Sequence, residues 1–174
     1  MRNIFTCLGL LFALQGMPQI CSTVDNKFGI NGLAINYRPD FNQYLGNMGV
    51  ALQPDGKIIE AANVISNSQS MIIVQRFMSN GIADQGFAAK GIAYINSPQN
   101  QSAFGNDIVS QPDGKILVVG SIQNQGYTIG FMARLDNAGK PDSSFGNNSI
   151  VLTGTGYKSE YLRSVRIQAN GKIL

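Results

Sequence analysis

The chain has ten acidic residues and no histidine, and those two facts bound its chemistry before any fold is considered. Without an imidazole there is no Ser-His-Asp or Cys-His nucleophile, and the usual zinc ligand sets are missing. Carboxylates alone can still cleave a glycosidic bond, which needs one protonated and one ionised group flanking it. Five of the acids, Asp25, Asp55, Asp84, Asp113 and Asp142, recur at fixed places in a repeating pattern and read as turn residues. The other five, Asp40, Glu60, Asp107, Asp136 and Glu160, have no spacing that pairs them. Calcium would require aspartates at alternate positions of one loop, which do not occur. Gly154-Thr155-Gly156 lacks the lysine and helix that a phosphate loop needs. The residues therefore predict no catalytic centre, no cofactor site and no metal site.

What the acids belong to is a repeat. Gln-Pro-Asp-Gly-Lys-Ile stands at 53–58 and again at 111–116, and Gln168-Ala169-Asn170-Gly171-Lys172-Ile173 follows as a worn third copy, at spacings of 58 and 57 residues. Periods of this size mark one supersecondary unit stacked on copies of itself. Between the hexapeptides, Arg76 to Gly81 leads to Asp84 and Phe87, and Arg134 to Gly139 leads to Asp142 and Phe145. An earlier copy is Asp25 to Gly29. The cations Lys57, Lys115, Lys172, Arg76 and Arg134 recur in step and read as edge charges or bonds to neighbouring turns.

Each unit reads as four short strands. Pro-Asp-Gly is a hairpin signal: proline presets φ, aspartate bonds its own backbone, and glycine accepts positive φ. This places Asp55, Gly56, Asp113 and Gly114 in one set of turns, and Asp84, Phe87, Asp142 and Phe145 in another. Strands are predicted at 49–53, 57–64, 70–77 and 91–95, and in the second unit at 115–122, 128–135 and 150–153. Ile116, Val118 and Ile122 face one way and Leu117 and Val119 the other, so the sheet is apolar on both sides and must be covered on both. Four-stranded sheets stacked face to face around an axis are the blades of a β-propeller, which closes with about 4 to 8 of them. The expected fold is thus all-β, a partial propeller with two complete antiparallel blades (49–106 and 107–164) and partial repeats at 24–48 and 165–174.

The hexapeptide followed by an apolar strand, Arg-Phe or Arg-Leu, Asn-x-Gly and Asp-x-x-Phe-Gly resembles the delta-60 repeat family, over essentially Val24 to Leu174. That resemblance implies a propeller module of secreted or surface proteins and brings no catalytic residues with it. The chain departs from the pattern at Ala88, Ser149 and Ala169-Asn170, changes expected to relax turns without removing strands.

Arg2, the apolar run Ile4–Leu14 and the exit through Pro18 to Cys21 read as a secretory signal over residues 1–23. The run is well short of the roughly 20 residues that span a bilayer as a helix. The expectation is a secreted, periplasmic or cell-surface protein with no membrane span in the mature chain. Both cysteines, Cys7 and Cys21, fall in that leader. The net charge of +3 is spread evenly and forms no basic stripe, which argues against a nucleic-acid partner.

Two blades and two fragments do not close a ring, so further repeats of the same protein, or self-assembly, are expected to complete it. Leu33–Tyr37 is a candidate strand for closing the last blade. At one end of the blades the turns are locked by the repeat. At the other, the links 36–47, 65–69, 96–106, 123–127 and 154–164 vary and carry Tyr37, Tyr44, Tyr127, Tyr157 and Tyr161 among amides. Such tyrosines give large contact area at low entropic cost. The function expected is a binding or surface module for an unknown protein or glycan ligand, the alternative being a lectin or carbohydrate-active enzyme using loop carboxylates.

Overall fold

The computed structural model describes residues 24–36, 41–98, 101–154 and 159–174; the leader, Tyr37, Asp40 and Tyr157 lie outside them. Among the described residues eight strands form: β1 (Gln43–Leu52), β2 (Ile58–Ser66), β3 (Gln69–Phe77), β4 (Ile92–Ile95), β5 (Ala103–Ser110), β6 (Ile116–Asn124), β7 (Tyr127–Leu135) and β8 (Ile150–Leu152). They pair in chain order, each antiparallel to the next, as two four-stranded sheets. The fold is all-β, two blades of a partial β-propeller flanked by partial repeats.

The turn chemistry operates as the residue types dictate. Gly56 N–H donates to Gln53 O (2.9 Å) and Gln53 N–H to Lys57 O (2.8 Å), while Asp55 Oδ1 accepts from Lys57 N–H. The worn third copy closes in the same way: Gln168 N–H reaches Lys172 O at 2.8 Å, and Asn170 Oδ1 accepts from Lys172 N–H at 3.1 Å. An amide oxygen serves where aspartate stood, so this substitution leaves the turn intact.

Two expectations are corrected. The first strand of each blade starts well before the predicted residue, at Gln43 rather than Gly49 and at Ala103 rather than beyond Asn106, so Tyr44 lies in a strand and not in a link. Irregularities at Tyr44/Gly46 and Asn47/Gly49, and at Gly105/Asp107, shift the register. Each inserts an extra residue and scrambles the period-two pattern by which a strand is recognised. The Leu33–Tyr37 segment, in turn, is not a strand over its described residues. It lies against blade 1, where Asn36 Nδ2 is 3.2 Å from the position a Cβ on Gly91 would take.

Packing follows from the two-faced alternation. Ile59, Ala61, Ile72 and Val74 of blade 1 join Ile108, Ile116, Val118 and Ala133 of blade 2 in one continuous core. Leu117 and Val119 point the other way, yet are equally buried, at 0% and 1% exposure. On that side lie Val165, itself buried, and Leu162, which covers Gly130. Each such aliphatic side chain contributes roughly 1.5–3 kcal/mol by leaving water.

One ring fixes the register of blade on blade. Phe87 is fully buried beneath the Asn137–Gly139 turn of blade 2, and a Cβ on Gly139 would stand 2.6 Å from the ring. The next residue, Ala88, donates its N–H to Ala138 O at 2.8 Å. Phe28 and Gly29 repeat this seat one unit earlier, against Gly81 and Asn80. Ala88 holds φ at 43°, whereas the corresponding Gly29 and Gly146 hold 57°. An alanine in the left-handed region costs roughly 1–2 kcal/mol. Ala88→Gly is therefore expected to raise the unfolding free energy by about 1 kcal/mol in a urea titration; a loss would mean that the alanine methyl packed on Gly139 outweighs the strain.

Candidate functional site

The most densely bonded polar residues join the two blades. Arg76, 7% exposed, donates from Nε to Asp84 Oδ2 at 2.9 Å and stacks on Phe87 with its guanidinium carbon 4.4 Å from the ring centroid. Its Nη1 reaches across to the backbone and side-chain oxygens of Asn137. Gln53, 2% exposed, donates to Gly114 O at 2.8 Å and to Asn137 Oδ1 at 3.2 Å. In blade 2, Arg134 holds Asp142 at 2.8 Å and stacks on Phe145 at 4.3 Å. The turn aspartates thus orient arginines, and Arg76 ties blade 1 to blade 2.

Asp142 gathers most of these bonds. The Ser144 hydroxyl, above all, and then the Ser144 N–H, Arg134 and Lys115 outweigh the cost of desolvation and hold its carboxyl down at about 2. Asp107 makes a different junction. Its Oδ2 accepts from the Ser164 hydroxyl, the Val165 N–H and Arg166 Nη1 at 2.7–3.0 Å. Partial burial pulls its pKa upward, but the Val165, Ser164 and Arg166 bonds prevail and hold it below the ordinary carboxylate range. Asp25, Asp113 and Asp136 each accept from backbone N–H groups in their turns. Every aspartate among the described residues is committed to a turn or a junction, and no group of three or more acidic or cysteine side chains among those residues could hold a metal.

The candidate tyrosines are only partly brought together. Tyr161, 48% exposed, lies under the Arg163 guanidinium at 5.2 Å and its hydroxyl is 3.4 Å from Thr128 Oγ1. That threonine is the neighbour of Tyr127, whose hydroxyl accepts from Asn124 Nδ2 at 2.8 Å. These two therefore share one corner of blade 2. Tyr44, opposite Val64 on the β1–β2 ladder, faces away from blade 2 and bonds Glu60. Partial burial and then the Glu60 carboxylate push its phenol up.

A concavity that the sequence did not signal lies on the outer flank between the blades. It encloses about 370 Å³, with Ile95, Ala133, Leu135 and Ile150 as its floor and Tyr94, Asn96, Ser97, Asn147 and Asn148 around its rim. No Asp, Glu, Lys or Arg lines it. The floor side chains come from strands of different blades, β4 on one side and β7 and β8 on the other, so nothing local in the chain announces the site. A larger, open hollow of about 660 Å³ runs across the corners at Gln53-Pro54, Gln111-Pro112 and Gln168-Ala169.

Residues 53–87 and 111–145 each match the family model described as domain of unknown function (DUF5122) beta-propeller. Those two segments are similar to DUF5122 beta-propeller repeats. Each runs from the Gln of the hairpin to the Phe of the Asp-x-x-Phe turn, and the polar junction is made between them, Gln53, Arg76 and Phe87 of the first meeting Asn137 and Gly139 of the second. This agrees with the resemblance to delta-60 repeats. No curated protein matches the chain.

The Asp142 junction predicts an acid limb to stability. A carboxyl held at about 2 when folded and near its ordinary value when unfolded stabilises the fold above pH 4 and loses that effect as pH falls through 2. In urea titrations between pH 5 and pH 2, Asp142→Asn is expected to begin less stable and to fall less steeply than the parent; parallel curves would mean that the carboxylate contributes nothing.

Proposed function

We propose that this repeat protein is an exported interaction module that takes its ligand in the flank groove between blades. The single observation that carries the reading is the groove itself, which combines an apolar floor with an uncharged rim of amide, hydroxyl and phenol groups. Pockets that bind small molecules have this composition, mostly apolar with a few oriented polar groups. The commitment of the aspartates to turns and junctions supports binding rather than turnover. The Tyr127–Tyr161 corner is a second contact surface in this reading.

The lining also favours one ligand class. A neutral, hydroxyl-rich molecule such as a glycan would exchange hydrogen bonds with Asn96, Asn147 and Asn148 without leaving a buried charge unpaired. Calorimetric titration with neutral hexasaccharides of the cellulose, chitin and starch series tests this. Asn96→Ala and Asn147→Ala are each expected to weaken binding by roughly 10-fold with the melting temperature nearly unchanged. Loss of binding in Tyr161→Ala alone would move the site to the tyrosine corner. Release of new reducing ends would replace the module reading with an enzyme.

A further inference from the structure

The wall of the flank groove on the blade 1 side is built from main chain as well as side chains. Residues 94–98 line it in unbroken succession, whereas side chains along a strand point alternately to opposite faces. Tyr94 lies across from Ile73 on the ladder, and its ring packs on Phe41 at 6.2 Å, so the strand borders the groove with its edge. β4 is the outermost strand of its sheet, and the Arg76 N–H donating to Gly91 O sets the alternation along it. An antiparallel ladder bonds inward at every second station. Gly91, Ala93 and Ile95 therefore face β3, while Ile92 and Tyr94 direct their N–H and C=O outward. Ile92 has both groups taken up by Ala89, at 3.1 and 3.3 Å, and Pro98 has no N–H to offer. The open edge is thus brief, centred on one donor and one acceptor at Tyr94.

We infer that the groove selects glycans of N-acetylated amino sugars, an inference that rests on the reading of the groove as a glycan site. One end of the acetamido group meets the Tyr94 main chain, the other meets the carboxamides of Asn147 and Asn148 on the facing rim, and the methyl rests on the floor of Ile95, Ala133 and Ile150. An amide leaving water needs a partner for both its N–H and its C=O, and a peptide edge beside carboxamides supplies both kinds. The floor is wholly aliphatic, and a sugar that bears only hydroxyls has no methyl group to cover it. An added peptide strand is the other occupant that an open edge suits, but strands are usually about 5–6 residues long. An edge stopped by Ala89 at one end and Pro98 at the other is too short for one, and long enough for a single amide.

Chitohexaose and cellohexaose share one backbone and differ in carrying an acetamido group or a hydroxyl on the second carbon of each ring. In calorimetric titration of the unaltered protein, chitohexaose is expected to bind ~10-fold tighter. In an amide-proton NMR titration it is expected to shift the Tyr94 resonance, which cellohexaose leaves in place. Ile150→Ala, checked for an intact fold by its melting curve, is expected to bring the two affinities within ~3-fold of each other. Equal affinities in the unaltered protein, with Asn96→Ala still weakening both, would overturn the acetamido inference and leave the glycan reading standing. Binding of neither hexasaccharide would remove that reading and the inference with it. Tighter binding of the extended peptide acetyl-Val-Thr-Val-Thr-Val-Thr-amide than of chitohexaose would make a peptide strand the occupant and overturn the proposal.

Discussion

Neither face of these sheets tolerates water, and everything else in the molecule follows from that. Ile116 and Val118 on one side and Leu117 and Val119 on the other are all buried, so a blade is stable only between neighbours. Apolar burial is non-directional, however, and would allow one sheet to slide over another. The Phe87 ring beneath Gly139 supplies the missing direction, because close-packed interiors accommodate a wedge in one place and strain elsewhere.

The polar junction rests on that wedge. Arg76 stacks on Phe87, is steered by Asp84 and ends on Asn137, with Gln53 completing the set. Burying an arginine and a glutamine is tolerable only when their donors are satisfied, and here the partners come from the next repeat. The same side chains that carry the repeat signature thus join one unit to the next. This explains why the carboxylates are so consistently engaged, and why the rim of the flank groove is left to neutral amides, hydroxyls and phenols.

Function on such a scaffold sits where the repeat does not dictate the residue. The flank groove satisfies that condition. Its floor uses Ile95 and Ala133, which in the preceding interface are Asn36 and Gln75, so equivalent places in successive repeats differ in polarity although the backbone recurs. Binding specificity in the proposed reading comes from this variation between copies.

The sequence by itself determined the period, the two-sided alternation, the Pro-Asp-Gly hairpins and the turn role of Asp55, Asp84, Asp113 and Asp142. All of these are local signals, readable within a few residues. It was less informative where locality fails: β1 and β5 start earlier than the pattern suggests because bulges near Gly46 and Gly105 scramble the alternation. Only the tertiary structure decided that Tyr44 turns away from Tyr127 and Tyr161, that Asp107 binds the Ser164–Arg166 segment, and that a groove opens between β4 and the turn before β8. Each depends on the offset of one blade upon the next. That offset is set by a ring fitting under a glycine far along the chain, a contact no local pattern encodes.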